Sequence, residues 1–229
     1  FNDLLTELQE SEARFRAAFQ SSVIGMGLFS LDGKILQAND ALVKMSGYTR
    51  AELSQRYNHE NVYPEDRNIG MDQFQELLEG RRDWFQVEKR YVRKNGEAFW
   101  TRSTLSAVRD SQGRPMYLVA LIDDIDEQKK ALERLQASET RFRAISEGAG
   151  DIIFMISTDG IIQFANELAA QSLELSPQEL IGKKLSDFFP VDTHEATWDV
   201  FQEVILSRKS IYIESIAHFP SGEVWLGTW

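Results

Sequence analysis

Cysteine is missing from all 229 residues, which excludes disulfides, thiolate nucleophiles and cysteine-ligated metal centres and fits a reducing, cytoplasmic setting. Basic charge is scarce as well. Twenty-five Lys and Arg face 36 Asp and Glu, and a net charge of -11 repels a phosphate backbone, so no nucleic-acid partner is expected. The three histidines, His59, His194 and His218, are too scattered for a metal-ligand cluster. There is no apolar run of roughly 18 residues and no charged-then-apolar leader, so neither a membrane span nor a secretion signal is expected within this stretch. An anchor elsewhere in a longer protein stays open. What is present, 42% hydrophobic residues over this length, is enough for one large domain or two ordinary ones, each with its own core, and two is the better count.

Comparing the chain with itself supports that count. Ser11-Glu12-Ala13-Arg14-Phe15-Arg16-Ala17 returns as Ser138-Glu139-Thr140-Arg141-Phe142-Arg143-Ala144, an offset of 127 residues. Asp32-Gly33 returns as Asp159-Gly160, Ala38-Asn39 as Ala165-Asn166 and Glu52-Leu53 as Glu179-Leu180. A period this long is domain-sized, so a duplicated domain is expected and not a solenoid. In the second copy the stretch from Trp225 to Trp229 matches the strand near Trp100, and nothing corresponds to 113–125, so its sheet is expected to be incomplete.

Within the first copy, apolar-rich segments 24–30 and 34–38 flank Asp32-Gly33, a dipeptide suited to a tight hairpin turn. Helical spacing predicts helices over 39–46, with Leu42 and Met45, and over 69–78, with Phe74, Leu77 and Leu78. The polar stretch 57–66 reads as turns. Three β-rich runs follow, 84–92, 98–108 and 116–122, punctuated by Asn95-Gly96 and Gln112-Gly113. Two strands, a helical middle and three strands make an α+β domain on one antiparallel sheet.

Beyond Asp124 the pattern changes to Ile125, Leu132, Leu135 and Phe142, with Gln128 and Glu139 completing the alternating spacing of a coiled-coil seam. Leu5, Leu8, Glu12 and Phe15 repeat it ahead of the first copy. These helices either pair with a second chain or pack on their own domains; a homodimer is the preferred reading. The expected domains are an N-terminal helix over 1–21, a first domain over 22–125, a coiled-coil linker over 126–147 and a second domain over 148–229, incomplete at its C-terminus.

An ordered series of short motifs carries a family resemblance. It runs from Ser30-Leu31-Asp32-Gly33 to Ala38-Asn39, through Ser46-Gly47-Tyr48-Thr49-Arg50-Ala51-Glu52-Leu53 and Val62-Tyr63-Pro64-Glu65-Asp66. It continues with Glu88-Lys89-Arg90-Tyr91-Val92-Arg93-Lys94-Asn95-Gly96, Trp100, Val108-Arg109-Asp110-Ser111-Gln112-Gly113-Arg114-Pro115 and Asp123-Asp124-Ile125-Asp126. The series resembles the PAS sensor domains found upstream of histidine kinases, diguanylate cyclases and cyclic-dinucleotide phosphodiesterases. Asp126 stands where the family usually has threonine. The second copy adds a Phe188-Phe189-Pro190 element but has Glu174-Leu175 in place of the Gly-Tyr pair.

The resemblance implies five strands in the order 2-1-5-4-3, with helices on one face enclosing a small interior. Its strand alternation points Met26 and Leu28, Thr101, Ser103 and Leu105, and Leu118, Ala120 and Ile122 inward, with Met45, Phe74 and Phe85 closing the other walls. Such a lining could hold an apolar or flavin-like ligand, but a packed core or a tiny cavity is the preferred reading. Cofactor identity stays open. Cysteinyl-flavin photochemistry is excluded, because the position of the reactive thiol falls on Asn58. Haem is not expected: the middle helix has no histidine, His59 reads as a surface residue, and His194 is a single weak candidate. Asn39 and Asn166 are expected to cap the helices that follow them, and Trp100 to face away from the interior, against a flanking helix or a partner.

Asp123-Asp124 and Glu65-Asp66 have no base, metal set or phosphate-cradling loop beside them, so no catalytic residues are expected. No cyclase signature and no phosphoacceptor histidine motif occurs. The chain is therefore expected to be a non-enzymatic sensory input and relay module with an output domain downstream in the same chain and Asp123, Asp124, Ile125 and Asp126 as the relay. A small-molecule or flavin receptor and a purely structural dimerisation module remain the alternatives.

Overall fold

The computed structural model describes residues 2–188, 191–220 and 222–228, with side chains described for all of these except 2–5, 191–198, 215, 217–219, 225, 226 and 228. The side chains of Leu5, His194, His218 and Trp225, and the whole of Phe189, Pro190 and Trp229, therefore lie outside the described residues. Two compact units divide the chain, the first to Glu133 and the second from Arg134.

The first unit opens with α1 (Asn2–Ser21), followed by β1 (Gly25–Phe29) and β2 (Ile35–Ala38). Gly33 turns this hairpin at a φ of 87°, a left-handed conformation that explains the Asp-Gly pair. Next come α2 (Asp40–Ser46), α3 (Arg50–Leu53), two 3-10 turns (Asn58–Asn61, Pro64–Asp66) and α4 (Met71–Leu78). A capping box starts α3: Thr49 accepts from the Glu52 amide while Glu52 accepts from the Thr49 amide. A hydrogen bond from Lys94, then those from Thr49, hold the Glu52 carboxyl down at about 2. β3 (Trp84–Val92), β4 (Ala98–Arg109) and β5 (Pro115–Asp124) complete one antiparallel sheet in the order β2-β1-β5-β4-β3.

One face of this sheet holds the core. Phe29, Ile35, Leu42, Leu77, Phe85, Leu118, Ala120 and Ile122 form a single buried cluster, with Met45, Phe74 and Leu105 packed against it. Here the expected parity of β1 is corrected. Gly25, Gly27 and Phe29 pair with Ile122, Ala120 and Leu118, so they share the core face, while Met26 and Leu28 pair with Leu121 and Val119 on the other. The reason is steric. A Cβ at Gly25 would stand 2.9 Å from the Ile122 carbonyl oxygen and 3.4 Å from Leu42 Cα, so α2 can lie close over β1 only where β1 carries no side chain.

Between the units runs α5 (Asp126–Gly148), which starts in the first and ends in the second. The second unit continues with β6 (Phe154–Ile156), β7 (Ile162–Ala165), α6 (Glu167–Ser172), α7 (Pro177–Leu180), a 3-10 turn (Leu185–Asp187), α8 (Val191–Ser207), β8 (Ile213–Phe219) and β9 (Gly222–Thr228). Its strands form two separate hairpins, β6-β7 and β8-β9, and not the five-stranded sheet expected of a complete copy. In the first unit β5 is the strand that joins one hairpin to the other. The described residues of the second unit include no counterpart of it.

Candidate functional site

Two junctions tie helices to the first unit. At the incoming one, Asn39 is fully buried and uses all four bonding positions of its amide. Its Oδ1 accepts from the Leu42 and Met26 amides at 2.9 and 2.8 Å, and its Nδ2 donates to the Phe19 and Ile24 carbonyls at 3.1 and 2.9 Å. One side chain thus caps α2, starts β1 and holds the last turn of α1. Gln20 adds an acceptor for the Asp40 amide at 3.1 Å.

The second unit repeats this joint. Asn166 Oδ1 accepts from Ala169 and Ile153, at 3.0 and 3.1 Å, and Nδ2 donates to the Ser146 and Asp151 carbonyls, both at 2.8 Å. Glu147 accepts from the Glu167 amide at 2.8 Å, in the role of Gln20. The capping role read from the sequence is present at both asparagines; the bonds back to the preceding helix had no local sequence signal.

At the outgoing junction, the Ile125 amide donates to the Trp100 carbonyl at 3.0 Å, and the Trp100 amide donates to Asp126 Oδ1 at 3.3 Å. Asp124 Oδ1 accepts from the Asp126 amide at 3.1 Å, satisfying one of the orphan donors at the start of α5. Its other oxygen pairs with Arg93 at 2.7 Å. The Arg93 guanidinium also donates to the Met45 carbonyl at the end of α2 and lies 3.7 Å from the Phe99 ring centre. Arg93 therefore links the helical wall of the core to the first turn of α5. Asp123 pairs in register with Arg102 on β4 and is exposed.

Further contacts hold that turn to the outer face of the sheet. Lys129 pairs with Glu88 at 2.7 Å, Glu88 also takes Arg102 at 2.9 Å, and Lys129 Nζ lies 5.2 Å from the Trp100 ring centre. Trp100 faces away from the interior and meets the flanking helix. Hydrogen bonds from Lys129 and then Arg102 lower the Glu88 pKa, and one from Lys130 lowers that of Asp126.

Of the expected interior residues, Thr101, Ser103, Leu118, Ala120, Ile122 and Phe85 are buried, and Met45, Phe74 and Leu105 pack against the same core. Met26 and Leu28 are not brought to it. Lys89, which sequence reasoning missed, is: it pairs with Thr101, on the core face. Asn58 accepts a hydrogen bond from the Tyr91 hydroxyl at 3.1 Å. His59 is exposed in a 3-10 turn, with its ring 5.8 Å from that of Tyr57. On the helices, Leu8, Phe15, Leu132, Leu135 and Phe142 remain 65, 54, 51, 65 and 42% exposed, while the Phe15 and Phe142 rings lie 5.8 and 5.0 Å from those of Phe19 and Phe164. Among the described residues no group of three or more acidic or histidine side chains is placed to hold a metal, and no helix is long and apolar enough to cross a membrane.

Comparison with known families matches a PAS fold over residues 35–122 and a second PAS fold over residues 140–216. The chain is 29% identical over 211 residues to "Probable diguanylate cyclase DgcE" of Escherichia coli (strain K12), covering 91% of this chain and 18% of that protein. It is 30% identical over 142 residues to the sensor histidine kinase TmoS of Ectopseudomonas mendocina, covering 62% of this chain and 15% of that one. The chain thus spans 18% or less of these two relatives. Among solved structures, a sensory box histidine kinase/response regulator from Burkholderia thailandensis E264 aligns at 26% identity and a TM-score of 0.46, over 57% of this chain and 98% of that one. With a matched fold in each copy and the 2-1-5-4-3 sheet in the first, the chain belongs to the PAS family and carries two PAS folds in tandem.

Proposed function

We propose that this chain is the sensory input and relay part of a longer signal-transduction protein, with residues 22–125 and 148–229 as sensor units and 126–147 as the coiled-coil relay between them. The observation that carries the reading is the fastening of helices at both ends of the first unit: Asn39 holds the end of α1, and Arg93 with Asp124 holds the start of α5. A change in the interior that displaces α2 acts on Arg93 through the Met45 carbonyl and on α1 through Asn39.

Relay of this kind needs two states with different affinity for the signal, not contact alone. The exposed apolar positions of α1 and α5 suit pairing with a second copy, so the working unit is a homodimer. Catalysis belongs to an output domain downstream, of the histidine kinase or cyclic-dinucleotide class, in the cytoplasm. Replacing Asp124 with Ala in the full-length protein tests this. Altered output with an intact fold is expected, and unchanged output would remove the junction from the signalling path.

A further inference from the structure

The two copies seat the same phenylalanine differently. Phe15 and Phe142 stand at equivalent positions, 127 residues apart, on the helix that enters each unit, and in both copies the last turn of that helix is held by the buried asparagine. Phe142 meets the strand: its ring lies edge-on to that of Phe164 on β7, at 5.0 Å. Phe15 stays on the helix instead, stacked on Phe19 at 5.8 Å with 21° between the ring planes. The surrounding side chains account for both choices. Gln37 stands where the second copy has Phe164, and Ser146 stands where the first has Phe19. Each phenylalanine has gone to the ring that its own copy provides.

That choice leaves space on the flank of the first unit. Between α1 and the edge strand β2 lies a cleft of about 480 Å³, walled by Phe15 and Phe19 on the helix, Leu36 and Gln37 on β2 and Leu53 on α3. Clefts of this size hold whole small molecules, so one aromatic ring has ample room. Phe15 is 54% and Leu36 49% exposed beside it. The last turn of α1 is not free to fill the space. Phe19 is buried there, and Arg50 donates to Gln20 at 3.3 Å while pairing with Asp40 at 2.5 Å. One turn earlier nothing comparable holds the helix: every side chain from Thr6 to Ala18 is exposed.

We propose that Phe15 is a two-position switch. In one seat it stacks on Phe19 and stays on the exposed face of α1; in the other it lies in the cleft against β2, as Phe142 lies against β7 in the second unit. The first seat gives an aromatic pair, the second takes apolar surface of Phe15 and Leu36 out of water, and the two gains are similar in size, so both seats are populated. Phe15 is also a position of the coiled-coil seam. It cannot fill the cleft and meet a second copy at once, so closing the cleft opposes pairing of α1. The first unit thereby acts on the incoming helix one turn beyond the reach of the asparagine joint. This last step alone rests on the homodimer reading.

In the whole 229-residue chain, the Phe15 ring should give nuclear Overhauser contacts to Gln37 as well as to Phe19. Gln37→Phe supplies the missing ring and should move those contacts to residue 37, slowing amide exchange of residues 12–16 about fivefold, the size of one aromatic pair. Gln37→Leu should slow it about twofold, and serves if the larger ring disturbs β2. In the second unit, Phe164→Gln should speed exchange of residues 139–143 about fivefold. Sedimentation equilibrium reads the competition: Gln37→Phe should weaken self-association about tenfold, since both helices of a pair lose Phe15. Ring contacts confined to Phe19 in the unmodified chain, or unchanged exchange in both Gln37 variants, overturn the switch. Undiminished self-association in a Gln37→Phe chain whose cleft has closed overturns the competition. A chain that is monomeric throughout discards the homodimer reading, and the two seats are then decided by the ring contacts.

Discussion

The two copies pack the same contact with opposite choices of side chain. In the first, β1 offers Gly25 and Gly27 and α2 supplies Leu42, whose Cδ2 would lie 3.3 Å from a Cβ at Gly27. In the second, the corresponding strand positions are Ile152 and Phe154, and the helix position is Ala169, with no exposed surface. Side-chain volume has moved from helix to strand and has also grown in total, so the two copies pack this contact differently and not by a volume-conserving swap. The asparagine joint has not moved at all. Its bonds to the preceding helix, the first strand and the next helix recur, even though Phe19 and Gln20 have become Ser146 and Glu147. Between the copies the core packing differs while the incoming helix attachment recurs.

The sharpest way to break this comparison is to exchange the volumes. Gly27→Phe alone should destabilise the first unit by about 3 kcal/mol and Leu42→Ala alone by about 2–4, measured by denaturant unfolding. Combined, they should cost less than their sum by at least about 1 kcal/mol. Additive losses would show that the Phe29 ring, 2.6 Å from a Cβ at Gly27, and not Leu42 limits the space there. Next in size, Asn39→Ala leaves two amides and two carbonyls without their partner and should cost about 2–4 kcal/mol, with Asn166→Ala similar in the second unit. Hydrogen exchange resolved by unit reads both, and loss of protection should extend into the last turn of the preceding helix.

A smaller effect tests the edge of the sheet. Arg90 holds the buried Asp66 carboxyl below the usual carboxylate range. The stabilisation is therefore fully present above that range and is lost as pH falls through the lowered folded value. Asp66→Asn should cost about 2 kcal/mol at neutral pH, discounted because the Arg90 side chain is 30% exposed. The gap from the unmodified chain should close in acid; a gap independent of pH would mean that shape, not charge, is responsible. Smallest is the Arg93–Asp124 pair, with side chains 21 and 31% exposed. A double-mutant cycle on unfolding should give a coupling of about 1 kcal/mol, and zero coupling would leave the outgoing junction without its electrostatic tie.

Most of the architecture was legible because it is local. Asp32-Gly33 encodes its turn, the alternation of β4 and β5 encodes their faces, and the repeat encodes two copies. The resemblance supplied the strand order. Parity in β1 was misread because Met26 and Leu28 look like core beside glycines, whereas a Gly-x-Gly alternation signals close approach of another backbone. Lys89 went unnoticed because a charged residue on a strand suggests solvent, although its spacing from Phe85, Val87 and Tyr91 already put it on the apolar face. The Arg93–Asp124 tie joins residues 31 apart, and no local pattern predicts such a pair.

The central claim is that α5 passes a change from the first unit toward the output. Inserting residues into α5 after Arg134 in the full-length protein tests it most directly, because a coiled-coil seam repeats every seven residues. Seven inserted residues restore the phase of Leu132 and Leu135 with Phe142 and should leave output responsive, whereas two inserted residues rotate the seam and should lock output on or off. Equal output from both insertions and the unmodified protein would contradict transmission through this helix.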